Sequence, residues 1–287
     1  MKVLLTGASG ILGTDIKLQL ESRGDEVLGF NSSDIAITDF ESVSGIVKNF
    51  RPDVVIHSAA MTAVDRCEDE QELAYAVNVT GTKNMAMTAA QAGARLVYIS
   101  SCGVYGNGKS TPYHEMDATQ PVNYHHQTKL EGERQVKTHH SDYLIVRPGW
   151  LFGGTPGHKK NFVAARRKEA ITNPVLQSAF DKIGSPTFTK DVAAQLVVLL
   201  DHGYTGLFNL VNEGEASRFS YVSEIVRLFE LDTRIEAVNS SMFPRRANMP
   251  DNECLENRNL NLKGCNTMRH WKLALKEYIN TNYQSYE

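Results

Sequence analysis

Residues 2–13, KVLLTGASGILG, decide the fold of this chain. A short apolar run leads into three glycines with the spacing G-x-x-G-x-x-G, and a helix-length segment begins at Ile11. Gly7 permits a tight turn, Gly10 lets backbone N–H groups approach a bound phosphate, and Gly13 lets a helix pack closely on the preceding strand. A strand, a glycine turn and a helix in this order predict a site for the pyrophosphate of a dinucleotide. A glycine turn without a ligand is the alternative.

Short apolar runs alternate with helix-length segments as far as residue 147. The predicted strands are residues 2–5, 26–30, 53–57, 95–100 and 142–147, and the predicted helices are residues 11–23, 39–50, 70–92 and 123–137. The apolar residues of the strands form continuous runs rather than alternating with polar ones, which indicates that both faces of the sheet are buried. The pattern therefore predicts an α/β fold with a doubly wound, Rossmann-like parallel sheet.

The pattern changes after Gly149, where proline and glycine become more frequent and the strand candidates become short. Two such candidates are residues 206–210 and 234–237. We therefore expect an NAD(P)-binding Rossmann-like domain over residues 1–150 and a smaller mixed lobe, mostly substrate-binding, over residues 151–287. Part of that lobe, about 189–210, is expected to return to the main sheet.

Composition excludes several classes of function. The chain has 287 residues, a net charge of −3 and a pI near 6.3, which do not favour binding to nucleic acid or to an anionic membrane. Its four cysteines are scattered without a Cys-x-x-Cys, which is typical of a reducing compartment. The first apolar run is too short for a signal peptide, and no run reaches the length of a membrane span. We expect a soluble cytoplasmic protein, and a homo-oligomer is compatible with the sequence.

The end of the second predicted strand bears on the choice of cofactor. NAD enzymes usually place an acidic residue here to bind the ribose 2′-OH, whereas this chain has Asn31 and Ser32. These neutral groups tolerate a 2′-phosphate, so NADP is favoured, with NAD as the alternative. No arginine accompanies them, and a plain polar turn explains the same residues equally well.

Several longer stretches carry a resemblance to a known family. The chain resembles the extended short-chain dehydrogenase/reductases and, within them, the dTDP-4-dehydrorhamnose reductase family, over nearly its whole length. The matching stretches are LLTGASGILG, RPDVVIHSAAMTAVDRCED, VNVTGTKNMA, YISSCGVYGNG, QTKLEGE, VRPGWLFG and DKIGSPT, and FPRRANMP is similar to a loop of that family.

The resemblance implies roles for individual residues. Ser101 corresponds to the Ser or Thr that binds the substrate carbonyl, Lys129 to the lysine that binds the nicotinamide ribose, and Asn78 to a residue that helps hold this lysine. The residues that it and the glycine turn assign to the cofactor are Gly7, Gly10, Ile11, Leu12, Gly13, Asn31, Ser32, Ile37, Ala59, Ala60, Lys129 and Pro148, with Gly149 beside them. The residues expected to face the sugar nucleotide are Trp150, Asn161, Thr62 and Val64.

The segment YHHQTK, residues 124–129, departs from the family pattern. Aligned on Lys129, the family's catalytic tyrosine corresponds to His125. Four residues of helix rotate by about 400°, which leaves His125 and Lys129 on one face, whereas five residues leave Tyr124 about 140° away. We therefore interpret His125 as the occupant of the acid position.

Three outcomes remain open at this position. His125 could act as the acid, although the neighbouring Lys129 disfavours the imidazolium. Tyr124, or Tyr105 or Tyr113 from a loop, could reach the site. Alternatively, proton delivery is lost, and His125 belongs to a solvated helix start.

Other positions that the family uses have also changed. Cys102-Gly103 stands in place of an Asp-Tyr pair, and Ala36 in place of an acid near the adenine, for which Asp34 could substitute. Asn248-Met249 stands where the family tends to have basic residues. The pairs His125-His126 and His139-His140 lack a metal-ligand spacing, so no metal is predicted.

The sequence favours NADP-dependent reduction of the 4-keto group of a nucleotide-linked 6-deoxy-hexulose, for deoxysugar or surface polysaccharide synthesis. Ser101, His125 and Lys129 are its candidate catalytic residues, and a nucleotide sugar is the expected substrate. The alternative is an NADP(H)-binding regulatory or scaffold protein without catalysis, comparable with the regulatory β subunit of methionine adenosyltransferase. A sugar epimerase or dehydratase is less favoured, because those activities usually rely on the missing tyrosine.

Overall fold

The computed structural model describes residues 1–283. Its strands are β1 Lys2–Thr6, β2 Glu26–Phe30, β3 Val54–His57, β4 Arg95–Ile99, β5 Tyr143–Pro148, β6 Trp150–Phe152, β7 Val175–Ala179, β8 Ile183–Gly184, β9 Pro186–Phe188, β10 Gly206–Leu210, β11 Ala216–Ser217, β12 Arg234–Val238 and β13 Asn252–Glu253. Its α-helices are α1 Ile11–Ser22, α2 Phe40–Phe50, α3 Val64–Asp69, α4 Gln71–Tyr75, α5 Gly81–Ala92, α6 Tyr124–His139, α7 Phe162–Thr172, α8 Thr189–Asp201, α9 Arg218–Leu228, α10 Arg258–Leu262 and α11 Trp271–Tyr283. A π-helical turn spans Ala76–Thr80, and 3₁₀ turns span Cys102–Val104 and Ser240–Met242.

The main sheet has six parallel strands in the order β10-β5-β4-β3-β1-β2. The prediction of a doubly wound, Rossmann-like parallel sheet is confirmed. The chain runs from β1 to β2 on one side and then crosses to β3 on the other side, so the winding direction reverses between β1 and β3. Ligands of such sheets bind outside the carboxyl ends of the strands at this reversal.

Helices cover both faces of the main sheet and enclose two apolar layers. One layer lies beneath α1 and α8 and is built from Leu12, Ile16, Leu20, Val192, Leu196 and Leu199 with the strand residues beneath them. The other lies beneath α2, α5 and α6 and includes Val43, Val47, Met85, Ala86, Ala89 and Val136. These layers explain why the strands are apolar on both faces.

The second half of the chain contributes both to the main sheet and to a lobe beside it. Helix α8 packs against α1, and β10 pairs in parallel with β5 at the sheet edge. The lobe contains the small sheets β6-β9, β11-β8-β13 and β7-β12, and its aromatic core surrounds Phe152, Tyr221 and Trp271. Pairing of β6 with β9 places the lobe next to the carboxyl ends of the main strands.

The helix predicted over residues 70–92 is interrupted in the structure. Helix α4 passes through the π-helical turn Ala76–Thr80 before α5 begins, and Asn78 lies within that turn. Such turns insert one extra residue per helical repeat and are frequent at functional sites. Spacing alone did not reveal this turn, because the apolar pattern continues across it.

Among residues 1–283, no helix is long and apolar enough to span a bilayer.

Candidate active site

The glycine turn after β1 packs against the chain that leaves β3. Gly7 has a φ of +71°, and a Cβ on it would lie 2.9 Å from the amide nitrogen of Ala59. A Cβ on Gly13 would lie 2.1 Å from the carbonyl oxygen of Gly7. Gly10 stands at the start of α1 without a side chain, so the first amides of the helix stay accessible to an anion. This closely packed turn fits the pyrophosphate of a dinucleotide.

A cavity of about 800 Å³ extends from the glycine turn to the lobe. It brings together every residue that the sequence assigned to catalysis or to the cofactor, namely Gly7, Gly10, Ile11, Leu12, Gly13, Asn31, Ser32, Ile37, Ala59, Ala60, Ser101, His125, Lys129 and Pro148. Gly149, Trp150, Thr62 and Val64 also line it. The roles of these residues stay predictions, but they share one cavity.

Asn31 fastens the end of β2 to the glycine turn. Its Oδ1 accepts a hydrogen bond from the Ser9 amide at 2.8 Å, and its own amide donates to the Asp34 carboxylate at 2.7 Å. Asp34 also accepts from the Ser33 hydroxyl at 3.0 Å. The groups that remain available at this end of the cavity are the side-chain Nδ2 of Asn31 and the Ser32 hydroxyl, both of which are neutral.

The lobe makes one polar contact with the glycine turn and one with the segment that follows β3. His158 Nε2 lies 3.2 Å from the carbonyl oxygen of Ser9, and Lys160 Nζ donates to the Thr62 hydroxyl at 2.6 Å. Both His158 and Lys160 line the cavity. The segment that precedes α7 therefore forms one wall of the candidate dinucleotide site.

Lys129 extends from α6 into the cavity with its ammonium group almost buried. Its Nζ lies 4.2 Å from the centroid of the Tyr98 ring and, among residues 1–283, makes no hydrogen bond or ion pair. Burial lowers the pKa of Lys129 to about 7, and the nearby Glu133 carboxylate opposes this shift. Ser101, at the end of β4, also lines the cavity, and its Oγ accepts from the Gly103 amide at 3.4 Å.

His125 lies one helical turn before Lys129, and both residues line the cavity as the helix geometry predicts. Helix α6 begins at Tyr124, because the Asn123 side chain accepts from the His126 amide at 3.0 Å and caps it. The hypothesis of a solvated helix start is wrong. His125 and His126 are both buried, with exposed fractions of 6% and 4%.

The proton on the His125 ring is positioned by a backbone carbonyl. His125 Nδ1 lies 3.0 Å from the carbonyl oxygen of Met61, and a carbonyl oxygen can only accept a hydrogen bond. Nδ1 therefore carries a proton. Burial, with smaller contributions from His126 and Lys129, holds the pKa of His125 well below its usual value, so the ring is neutral and Nε2 is unprotonated.

His126 occupies the space that a side chain at position 103 would fill. A Cβ on Gly103 would lie 2.0 Å from Cε1 of His126, so the ring rests directly on the glycine backbone. Burial lowers the pKa of His126 to about 4, and its Nδ1 has no hydrogen-bond partner among the described residues. The His126 ring therefore fills the space beside Gly103 where the family resemblance leads us to expect a tyrosine side chain.

The tyrosines considered as alternative acids do not reach the site. The Tyr105 hydroxyl donates to Asn209 Oδ1 at 2.9 Å, and the Tyr113 hydroxyl donates to the Gly106 carbonyl at 3.1 Å. Tyr124 is partly exposed and lies outside the residues that line the cavity. Of the four residues considered for the acid position, His125 alone lines the cavity.

The lobe end of the cavity contains a polar cluster around Trp150, and sequence reasoning missed two of its members, Arg218 and Glu253. Trp150 Nε1 donates to Glu253 Oε2 at 2.8 Å, and the Cys102 thiol donates to Glu253 Oε1 at 3.5 Å. The Arg218 guanidinium lies 3.4 Å from the centroid of the Trp150 ring. Burial and Glu253 raise the pKa of Cys102 well above its usual value, so it stays a thiol.

The Arg218 guanidinium faces the cavity with its donors free. Among residues 1–283 its side chain has no hydrogen bond and no ion pair within 4 Å, and burial lowers its pKa. Arg218, Trp150 and Glu253 are distant in sequence and come together through β6, α9 and β13. No motif connects these positions, so only the fold reveals the cluster.

Two residues near the site have contacts other than those expected. Asn161 was expected to face a sugar nucleotide, but it caps α7 by accepting from the Ala164 amide at 3.0 Å, and its Nδ2 donates to the Gly153 carbonyl at 3.1 Å. Asn78 was expected to hold Lys129. Its Nδ2 instead donates to the hydroxyl of the adjacent residue, Thr128, at 2.9 Å.

A buried ion pair between Glu133 and Arg147 lies next to the residues that line the site. Glu133, one turn after Lys129, accepts from Arg147 Nε at 2.8 Å and from Arg147 Nη2 at 2.7 Å. The Ser100 hydroxyl donates to the same carboxylate at 2.6 Å. The network connects α6, β5 and the end of β4, and so fixes Lys129 and Ser101 relative to each other.

Comparison with known proteins agrees with this arrangement. The model of the RmlD substrate binding domain matches residues 1–284. The chain belongs to the RmlD substrate binding domain family. The resemblance to the dTDP-4-dehydrorhamnose reductases is thereby confirmed.

Three relatives of this RmlD-family chain cover nearly its whole length. The spore coat polysaccharide biosynthesis protein SpsK of Bacillus subtilis is 35% identical, covering 97% of this chain and 96% of its own. The dTDP-4-dehydrorhamnose reductase of Clostridium acetobutylicum has a TM-score of 0.94 at 37% identity, with coverage of 98% and 99%. That of Bacillus anthracis, solved in complex with NADP, has a TM-score of 0.94 at 30% identity, with coverage of 98% and 99%.

Proposed function

We propose that this RmlD-family protein reduces the 4-keto group of a nucleotide-linked 6-deoxy-hexulose with NADPH, in deoxysugar or surface polysaccharide synthesis. The observation that carries the proposal is the single cavity that contains the glycine turn, Ser101 and Lys129. The names of its relatives, which include dTDP-4-dehydrorhamnose reductases and a polysaccharide biosynthesis protein, support the same reaction.

The choice of NADP rests on two supports. A relative with a TM-score of 0.94 was solved in complex with NADP. In this chain, Asn31 and Ser32 present neutral groups at the end of β2, so no carboxylate at these two positions repels a 2′-phosphate. NAD is the alternative cofactor.

The bound cofactor would supply a hydride for the carbonyl carbon. Ser101 would donate a hydrogen bond to the oxygen as negative charge develops on it. Lys129, on the cofactor side, would donate hydrogen bonds to the ribose and add positive charge near the same oxygen. The lobe from residue 151 onward would hold the rest of the substrate. Arg218, stacked on Trp150 with free donors, suits the diphosphate that joins nucleotide and sugar.

The proposal is tested by NADPH oxidation with dTDP-4-keto-6-deoxyhexose and its UDP analogue, beside a related reductase as positive control. We expect consumption of NADPH that requires the ketosugar. The Ser101→Ala variant should bind NADPH normally and lose about 100-fold or more in turnover, because it lacks the donor to the developing oxyanion. A wild-type protein that never oxidises NADPH where the related reductase does would contradict the proposal.

A second candidate function is favoured by one observation. The His125 ring is neutral with its proton directed at Met61, so the position of the family's acid holds no proton for a substrate. A protein that binds NADP(H) without turnover, for regulation or as a scaffold, fits this feature. The His125→Tyr variant separates the two: turnover that appears only in the variant indicates a binding protein, whereas turnover in the wild type indicates the reductase.

A further inference from the structure

Most donors that line the cavity cannot release a proton to a substrate oxygen. Arg218 stays charged at any accessible pH, and the thiol of Cys102 is held by Glu253 with a raised pKa. The hydroxyl of Ser101 donates a hydrogen bond but does not ionise near neutral pH. Lys160 is exposed, and its ammonium donates to Thr62 at the rim.

His125 is excluded by the direction of its hydrogen bond. Its ring proton lies on Nδ1 and is engaged by the Met61 carbonyl at 3.0 Å, so the unprotonated Nε2 is left for the cavity. A second proton on the ring would place a cation beside the Lys129 ammonium in a buried site. Both burial and Lys129 lower the pKa of His125.

Unlike His125, Lys129 has N–H donors that no backbone or side-chain group of residues 1–283 engages. Its ammonium carries three N–H donors, lines the cavity, and makes no hydrogen bond to any residue among 1–283. The groups that face it are Glu133 on its own helix, His57 from β3, Tyr98 from β4 and His125. His57 is neutral with a pKa lowered to about 3, so Glu133 is the charged group among them that stabilises the ammonium.

We propose that in this chain Lys129, and not His125, delivers the proton to the substrate oxygen, while His125 presents Nε2 as a hydrogen-bond acceptor to the substrate. The inference rests on the proposed ketone reduction. A pKa near 7 matches the task, because an acid is most effective when its pKa is close to the working pH.

The proton and electron pairs balance in this step. In the proposed reduction the carbonyl carbon would gain a hydride, that is, a hydrogen with its electron pair, as the reduced nicotinamide is oxidised, and the π pair of the C=O bond would move onto oxygen. The oxygen then takes a proton from Lys129 Nζ, and the N–H pair stays on nitrogen as the lone pair of a neutral amine. Solvent at the open end of the cavity returns the proton to the amine.

The test compares pH–rate profiles of the wild type, Lys129→Arg and His125→Asn, with Lys137→Arg as an exposed lysine control on the same helix. Arginine keeps a cation for the ribose but cannot release a proton. We expect wild-type kcat to fall about tenfold per pH unit above about pH 7, a fall that His125→Asn retains. Lys129→Arg should bind NADPH, measured by its fluorescence, and lose about 100-fold in kcat without that fall. Lys137→Arg should match the wild type.

Two results would overturn the inference. One is a turnover of Lys129→Arg within about threefold of the wild type. The other is a His125→Asn variant whose kcat no longer falls above about pH 7 while Lys129→Arg keeps that fall. Failure of the proposed function itself is a different result, namely a wild type without turnover. In that case NMR decides the proton positions: ¹⁵N shifts must show His125 neutral and protonated on Nδ1 at pH 7, and the ¹³Cε signal of Lys129 must titrate near neutrality. Imidazolium at His125, or Lys129 titrating at its ordinary value of about 10.4, would refute the inference.

Discussion

Replacing Glu133 by glutamine should destabilise the protein strongly, although the side chain keeps its shape. The carboxylate is fully buried, and its partner Arg147 is 3% exposed. Glutamine supplies one acceptor oxygen, whereas Glu133 accepts from Arg147 Nε, Arg147 Nη2 and the Ser100 hydroxyl with two. In the variant, the NH₂ group of the glutamine amide faces the Arg147 guanidinium, and two donors cannot form a hydrogen bond. Arg147 is also left as a buried cation without a counter-charge.

The size of the effect follows from this arrangement. Breaking a buried ion pair by removing one partner costs about 3–5 kcal/mol. An unfolding entropy of about 2.1 cal/mol/K per residue gives about 0.6 kcal/mol/K for this chain of 287 residues. The melting temperature of Glu133→Gln should therefore fall by about 5–8 °C.

The measurement is differential scanning calorimetry at pH 7.5. The matched control is Glu131→Gln on the same helix, because Glu131 pairs with Arg134 at 2.9 Å at the surface. Exposed pairs contribute about 0–1 kcal/mol, so this control should shift the melting temperature by less than about 2 °C. The double variant Glu133→Gln/Arg147→Met should regain part of the loss, because it removes the unpaired cation. Equal shifts in the two single variants would refute the reasoning.

Three further outcomes are expected. Gly13→Ala should abolish NADPH binding measured by fluorescence, since its Cβ would lie 2.1 Å from the Gly7 carbonyl oxygen, whereas Gly45→Ala, with open space around it, should bind normally; binding by both would contradict the packing argument. Asn161→Ala should lower stability by about 1–2 kcal/mol through loss of the helix cap and leave KM within about twofold, and a large rise in KM at unchanged stability would restore its expected substrate role. The unfolding free energy should decrease as the pH falls from about 6.5 towards 3, because the pKa of buried His57 is lowered to about 3 and the unfolded chain therefore binds the proton at a higher pH than the folded chain. The decrease is up to about 1.4 kcal/mol per pH unit for a single histidine. Urea titrations of the wild type and His57→Asn at several pH values measure the last effect, and identical pH dependence in both would contradict it.

The main sheet and the cofactor end of the site could be predicted from the sequence because their signals are local. Gly7, Gly10 and Gly13 lie within one turn, and strands buried on both faces contain continuous apolar runs. The face shared by His125 and Lys129 follows from the helical period alone, and the structure places both in the cavity.

The substrate end could not be predicted in the same way, because it depends on contacts between distant segments. Trp150 and Glu253 are 103 positions apart and meet through a hydrogen bond of 2.8 Å. A polar residue before a helix, such as Asn161, is compatible with either a cap or a ligand contact, and the cap was seen only once the path of the chain was known. The protonation of His125 depends on the Met61 carbonyl, 64 positions away.

The contact between Gly103 and His126 also makes these two positions depend on each other. A Cβ at position 103 would overlap the imidazole, so any larger residue there requires the His126 ring to move. A Gly103→Tyr substitution made on its own, to introduce the tyrosine that the family resemblance leads us to expect, would therefore displace the ring at position 126. An engineered return of position 103 to tyrosine needs a smaller side chain at position 126 at the same time.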